Sequence, residues 1–299
     1  MLDWVRLIIN ESLEFSGAGV GQEGGDLMTT VATPHTSQTG HHHSESILVN
    51  AIDRWIYVLM AVFFIVITLT GFIPDSFAKI AAVEAGERPA FPLVLHLHSI
   101  LMGSFLFLLF AQSTLAATGK LEYHQRLGVA AVVLAPAIVV AGFILVPTMY
   151  HQIWNGMQTA SAEAQTGIQA FLRFFDNIML IQIRVGILFP LFILMALMAR
   201  KSDSGLHKRM MFLAVAIALP AAFDRITWLP HTLPESPLSP DLYTLLAVAP
   251  MFVWDLVRTQ SVHKAYRVWL ALMVPSSILI HSLWDTDWWH ATAPRLVGL

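Results

Sequence analysis

Residues 54–73 have the sequence RWIYVLMAVFFIVITLTGFI, and Arg54 carries the only formal charge in this run. An α-helix needs about 20 apolar residues to cross the hydrocarbon core of a bilayer. Apolar runs of the same kind recur along the rest of the chain. We therefore predict an all-α fold, a polytopic membrane helix bundle with about seven transmembrane helices. The predicted spans lie near residues 54–73, 93–117, 126–147, 177–199, 208–229, 242–258 and 266–284.

The composition of the whole chain favours the lipid bilayer as its main partner. Of its 299 residues, 56% are hydrophobic and only 12% are charged, which is far from the balance in soluble domains. The formal net charge of −3 offers no basic surface, which argues against nucleic acid as a partner. Because the chain has no cysteine, it cannot use thiolate catalysis or attach a c-type haem, and its 13 histidines become the main candidates for redox or metal chemistry.

The N-terminal segment differs from the rest of the chain. Residues 1–15 have one polar and one apolar helical face and are too short to span a bilayer, so we predict a short interfacial helix there. Residues 16–46 are rich in Gly, Thr and His without an apolar period, which predicts a disordered cytoplasmic tail. Met28 is an alternative start to Met1. The predicted domains are 1–52 for this segment and 53–299 for the transmembrane helical domain.

Basic residues collect in alternate connections between the spans, around Lys120, Lys201 and Lys264. Cytoplasmic loops carry an excess of Lys and Arg, so these three connections are predicted to be cytoplasmic. The chain is then a multi-pass protein of the cell membrane, with a cytoplasmic N-terminus and an external C-terminus. The predicted external loop 148–176 is expected to contain a helix lying on the outer surface, and the Trp-rich tail 284–290 is expected to form an aromatic belt.

Four histidines lie at the ends of predicted spans and fall into two layers. His98 and His281 are predicted near the outer face, and His124 and His207 at the cytoplasmic face. Two helices that present one imidazole each at the same depth could hold a b-type haem through two axial ligands. These histidines are therefore candidate haem or metal ligands. The alternative is structural, because histidines at span ends also bond to water, headgroups or loop carbonyls.

Arg184 is predicted to lie about seven residues inside the fourth span, where an unpaired guanidinium is costly. We expect Asp224, at a similar depth in the fifth span, to be its partner. This pair is interpreted as a buried ion pair that fixes two helices. The alternative is that Arg184 contributes to cofactor or ligand binding by holding an anion, such as a haem propionate or a substrate carboxylate.

A His-x-Arg pattern occurs twice, at 124–126 and 207–209, and each copy begins a span that returns from the cytoplasmic face. A duplicated helical hairpin would leave such a pattern. With GKLEYHQRLG at 119–128 and HKRMM at 207–211, the chain resembles a group of uncharacterised bacterial multi-pass membrane proteins, a resemblance that implies no activity. It is also distantly similar to the di-haem transmembrane cytochromes b, which implies haem b. That family has six spans and a regular histidine set, whereas this chain has seven predicted spans and irregular spacing.

Three functions follow from these observations. The first is binding of b-type haem for transmembrane electron transfer, with a quinone or a membrane protein as redox partner. The second is a transporter or small-molecule sensor that uses Arg184, Asp224 and the outer histidines to line a polar cavity. The third is a non-catalytic subunit of a membrane complex. Histidines at two depths favour the first, because haem binding alone accounts for them.

Overall fold

The computed structural model describes residues 39–299, with side chains from Ile47 onward, so the predicted interfacial helix lies outside the described residues. The predicted disordered tail is described only from Thr39, where the first helix begins. The helices, in chain order, are α1 (Thr39–Glu84), α2 (Leu93–Ala117), α3 (Leu121–Thr159), α4 (Ala162–Ala199), α5 (Ser204–Ala216), α6 (Pro220–Phe223), α7 (Leu238–Thr259), α8 (Lys264–Leu283) and α9 (Asp287–Leu296).

The predicted all-α bundle is confirmed. Seven segments are long and apolar enough to cross a membrane, the fifth being formed by α5 and α6 together, and the described residues contain no strand. Large apolar side chains are exposed along these helices, where water would strongly disfavour them. They include Leu59, Phe63, Val66, Leu69, Phe107, Val133, Phe143, Met198, Leu246 and Ile278. This surface is compatible with contact with lipid along the whole length of the bundle.

The compact bundle consists of residues 55–299, and α5 is its most buried helix. Asp203 caps α5 by accepting a hydrogen bond from the backbone N–H of Leu206 at 2.8 Å. Eight of the 13 residues of α5 are buried, and the helix packs against α2, α4, α7 and α8. Helices α2 and α3 form an antiparallel hairpin in which Gly128 faces Gln112 and Gly142 faces His98. This hairpin packs on α4 through α3.

Helices α3 and α4 correct the prediction of a long external loop over residues 148–176. Helix α3 continues to Thr159 and α4 begins at Ala162, capped by the side chain of Ser161. With 39 and 38 residues, each helix is close to 60 Å long, about twice the hydrocarbon thickness. The predicted surface helix is therefore the beginning of α4. The backbone N–H and C=O groups of this region form hydrogen bonds within the two helices, so only a short turn joins them.

The fifth span also differs from its prediction over residues 208–229. It begins earlier, at Ser204, and ends at Phe223, with an irregular stretch before Pro220, which starts α6. Proline lacks the N–H that a continuous helix needs, which explains the break. Near this break α1 comes very close to the chain, because a Cβ built on Gly71 would lie 2.9 Å from the carbonyl carbon of Ala222 and still closer to its oxygen.

Candidate functional site

The His124 imidazole is fixed by the helix that precedes it. His124 lies in the first turn of α3, and its Nδ1 is 3.1 Å from the main-chain carbonyl oxygen of Gln112, near the end of α2. A carbonyl oxygen only accepts hydrogen bonds, so Nδ1 carries the proton and donates it. In the neutral ring, Nε2 then carries the lone pair.

His207 repeats this arrangement in the next hairpin. It lies in the first turn of α5, and its Nδ1 donates to the carbonyl oxygen of Ala196 near the end of α4 at 2.8 Å. The two copies of the His-x-Arg pattern thus have the same local geometry. In each, the histidine ties the start of one helix to the end of the helix before it.

The structure brings His124 and His207 together. Their ring centroids are 6.4 Å apart and the rings are nearly perpendicular, at 89°. A metal-bound histidine usually donates its second N–H to a carbonyl or carboxylate, and both histidines already do so. We call these two residues the histidine pair, and their side of the bundle the histidine end.

Gln112 contributes a second unusual feature at the histidine end. Its carbonyl oxygen accepts the bond from His124, whereas both polar atoms of its side chain, Nε2 and Oε1, are buried without a hydrogen-bond partner. An unpaired buried amide is costly, and such groups call for a water, an ion or a ligand. The side chain lies against the small residue Gly128 on α3, where an added Cβ would be 3.4 Å from Nε2. A polar ligand beside the histidine pair would satisfy this amide.

His98 and His281 have separate neighbourhoods. His98 on α2 lies against Gly142 of α3, and its Nδ1 is buried without a hydrogen-bond partner. His281 on α8 donates from Nδ1 to the carbonyl oxygen of Ser277 at 2.9 Å, and its side chain is 37% exposed. The contacts described for these two histidines do not join them, so a second axial pair remains a prediction.

Arg184 has a different partner from the one predicted. Its Nη2 lies 2.6 Å from Oδ1 of Asp241 on α7, and its Nη1 donates to the Ser277 hydroxyl on α8 at 2.9 Å. The predicted partner, Asp224, instead lies 3.7 Å from its chain neighbour Arg225. The reason is that the fifth span ends before Asp224, which therefore follows the membrane-spanning segment. The Nε of Arg184 is buried and has no partner.

A second buried ion pair was not predicted. Arg209 on α5 binds both carboxylate oxygens of Asp255 on α7, with Nε–Oδ2 and Nη2–Oδ1 distances of 2.6 Å. The Tyr266 hydroxyl donates to the same carboxylate. The sequence contained a signal for this pair, because Arg209 and Asp255 both lie near the same end of apolar spans. Arg209 also resembles the basic residues that commonly flank the cytoplasmic end of a span, so the sequence did not distinguish it as half of an ion pair.

The connections at the histidine end carry perturbed ionisable groups. Burial, together with the positive charge of Arg209, lowers the pKa of His263 to about 4. Its Nδ1 accepts a hydrogen bond from the backbone N–H of Ala265 at 3.1 Å, which requires the deprotonated ring. Burial alone would raise the pKa of Asp203, but hydrogen bonds from Lys264 and from the Leu206 amide lower it. These groups fix the connections around α5 and α8.

The opposite side, which we call the C-terminal end, holds a further network that sequence reasoning missed. The two ring nitrogens of His290 on α9 are each 2.9 Å from a carboxylate, Asp176 on one side and Asp285 on the other. The imidazole is thus held between two carboxyl groups. Asp176 is buried and also accepts from the Tyr150 hydroxyl at 2.8 Å. These hydrogen bonds hold α9 against α3 and α4. Trp289 is buried there and does not belong to an exposed aromatic belt.

Among the side chains that the structure describes, those of residues 47–299, no group of three or more His, Asp or Glu is arranged to hold a metal ion. The histidine pair offers two imidazoles, the number of protein ligands that a bis-histidine haem would need in addition to its macrocycle. In the neutral rings both Nε2 atoms carry a lone pair, because both Nδ1 atoms donate to main-chain carbonyls. No protein-family model, curated protein or solved structure was found to match this chain.

Proposed function

We propose that this multi-pass membrane protein binds a b-type haem through His124 and His207 and transfers electrons. The proposal rests on one observation. The two imidazoles are neighbours, and the Nδ1 atom of each donates a hydrogen bond to a main-chain carbonyl oxygen. A bis-histidine haem exchanges one electron at a time without a change of ligands. The protein's own contribution is orientation, because each helix start is held to the preceding helix end by the ligand histidine itself.

The histidine pair is half-buried at one end of a bundle whose helices are joined by buried ion pairs. Two buried ion pairs, Arg184–Asp241 and Arg209–Asp255, hold α7 against α4 and α5, so the central helices are fixed relative to one another. Rigid support limits the movement of ligands when the charge of a site changes. The redox partner in this proposal is a quinone or a second membrane protein. The cell membrane is the proposed location, with the histidine end and the N-terminus in the cytoplasm.

The test of haem binding uses the full chain purified in mild detergent from a haem-sufficient host. The expected result is stoichiometric haem b and a reduced-minus-oxidised spectrum with the sharp α-band of a low-spin bis-histidine haem. His124→Ala and His207→Ala should each abolish this band or convert the haem to a high-spin form. His42→Ala, in the N-terminal segment, is the control and should leave the band unchanged. Parent protein without stoichiometric haem overturns the proposal.

The variants His98→Ala and His281→Ala test whether the protein binds one haem or two. With the histidine pair as the single site, both variants keep the full haem content and the α-band of the parent. Loss of half of the haem in either variant would show a second site at the opposite end. The orientation is tested independently by fusing a reporter enzyme that is active only in the cytoplasm after Leu299, where we expect no activity.

A second candidate function is supported by Arg184. Its Nε is buried without a partner although its two terminal nitrogens are bonded, and His281 Nδ1 lies 3.9 Å from the same Asp241 carboxylate. A transporter or sensor of a small polar ligand would use such a group. Binding of a polar solute that is lost in Arg184→Lys, in a protein without haem, would favour this function over electron transfer.

A further inference from the structure

A cavity of about 480 Å³ opens at the C-terminal end between α4 and the connection from α6 to α7. It is a shallow depression that opens widely to its surroundings, with room for a small molecule. It is distant along the helices from the histidine pair, which lies at the other end of α3 and α4. The lining residues are Phe171, Phe174, Asp224, His231, Leu233 and Pro234.

The ionisable side chains of this cavity offer hydrogen-bond acceptors. The Nε2 of His231 donates to the carbonyl oxygen of Ile226 at 2.9 Å, so in the neutral ring Nδ1 carries the lone pair. Asp224 is a carboxylate, and its nearest described cation, Arg225, is 3.7 Å away, beyond hydrogen-bond distance. The lining therefore favours a ligand that donates hydrogen bonds or carries positive charge.

Arg225 is shared between Asp224 and a second carboxylate, that of Asp75, which also binds Lys79. Its Nε lies 3.1 Å from the Asp75 carboxylate, and its guanidinium carbon lies 4.7 Å from the centre of the Phe72 ring. Its Nη1 also donates to the carbonyl oxygen of Ala221. With these contacts the guanidinium is directed to α1 and to the end of α6, and its ion pair with Asp224 is the longer of the two. The lining of the cavity itself contains the Asp224 carboxylate and no Lys or Arg.

Two aromatic rings complete the site. Phe171 and Phe174 lie on α4 with ring centroids 6.4 Å apart, and Phe171 is 49% exposed. The faces of aromatic rings attract cations, and a carboxylate beside them adds a direct charge interaction. We infer that this cavity binds an organic cation, an ammonium group attached to a small apolar or aromatic body, with Asp224 as the counter-ion. This site goes beyond electron transfer and does not depend on haem.

The experiment measures binding of benzyltrimethylammonium to the full chain in lipid nanodiscs by ligand-observed NMR. Benzyl alcohol and phenylacetate serve as neutral and anionic probes of similar shape. We expect the cation to bind at least tenfold more tightly than either probe. Asp224→Asn should weaken cation binding at least tenfold, and Phe171→Leu should weaken it severalfold while changing benzyl alcohol binding little.

Glu163→Gln is the matched control, since Glu163 is an exposed carboxylate on the same helix as the two rings and does not line the cavity. It should bind the cation like the parent. Equal affinity for the cation and benzyl alcohol, or unchanged cation affinity in Asp224→Asn, overturns the inference. A loss of binding in Glu163→Gln equal to that in Asp224→Asn also overturns it, because surface charge would then explain the binding. If Asp224→Asn does not fold, Phe171→Leu replaces it as the deciding variant. Cation binding that is not weakened more than benzyl alcohol binding in Phe171→Leu would then overturn the inference.

Discussion

Arg184 on α4 and Asp241 on α7 form an ion pair with 2.6 Å between Nη2 and Oδ1, and the Arg184 side chain is only 2% exposed. Removal of one partner leaves an uncompensated charge inside the bundle, which costs about 3–5 kcal/mol. Asp241→Asn should therefore lower the free energy of unfolding by an amount in this range, measured by thermal and denaturant melting in detergent. Replacement of both residues, in Arg184→Met with Asp241→Leu, should recover most of the loss.

Asp224→Asn is the control for this prediction. Asp224 makes one long contact with Arg225, and its side chain is 31% exposed, so its removal should change the melting temperature little. Strong destabilisation by Asp224→Asn together with parent-like behaviour of Asp241→Asn would contradict the observed pairing.

Gly71 gives a prediction about helix packing. In Gly71→Ala the new Cβ would meet the Ala222 backbone, which cannot move aside as a side chain could, so α1 must shift. Overpacking of this kind costs about 1–3 kcal/mol. Gly103→Ala is the matched control, because nothing lies within 4 Å of a Cβ built there. The measurement is the melting temperature of both variants, and equal values would contradict the close crossing at Gly71.

His263 predicts a pH dependence of stability. Its pKa is lowered to about 4 in the folded protein, so the unfolded chain binds more protons between about pH 6.5 and pH 4. The stabilising contribution is therefore complete above about pH 6.5 and is lost as the pH falls toward 4. The full shift corresponds to about 3 kcal/mol, and partial exposure reduces the expected effect to about 1–2 kcal/mol.

His263→Asn isolates this effect, because asparagine also accepts the capping hydrogen bond but does not titrate in this range. The variant should lose less stability than the parent when the pH is lowered from 6.5 to 4, as measured by melting temperature. Parallel pH curves for variant and parent would show that His263 does not cause the dependence.

His290 predicts how the C-terminal helix is held. In His290→Ala the buried Asp176 loses a hydrogen-bond partner, so α9 should detach more easily, at a cost of about 1–3 kcal/mol. Proteolysis of the tail after Trp284 should become faster. His151→Ala removes a single hydrogen bond, from the imidazole Nε2 to the carbonyl oxygen of Val297, and should cost about 1 kcal/mol. Similar effects of the two variants would contradict a special role for the two carboxyl contacts of His290.

The sequence was sufficient to predict the helical fold and the number of long apolar helices, because those depend on local hydropathy. It also placed His124 and His207 at the same end of the bundle, where the structure brings their rings together, while their role as ligands stays a prediction. It could not identify the partner of Arg184. The predicted depth of each residue in the membrane depends on where its span begins and ends. Because the fifth span ends at Phe223 and not at residue 229, Asp224 lies beyond the span and not at the depth of Arg184. The network of Asp176, His290 and Asp285 depends on the contact between Asp176 and His290, which are 114 residues apart in sequence. A local sequence pattern does not predict such a contact.

The central position of α5 has a consequence for biogenesis. The fifth, sixth and seventh spans are less apolar than the first four, and they contain Arg209, Asp241 and Asp255, charged groups that are paired only in the assembled bundle. Insertion of an isolated span with such a charge is unfavourable by about 3 kcal/mol per residue. Arg184 of the fourth span likewise finds its partner, Asp241, only in the sixth. The first three spans can therefore enter the bilayer one at a time, whereas the fourth and fifth are inserted stably only together with the sixth, as ion-paired neighbours. Truncation within α7 should leave α5 poorly inserted and exposed to membrane quality-control proteases.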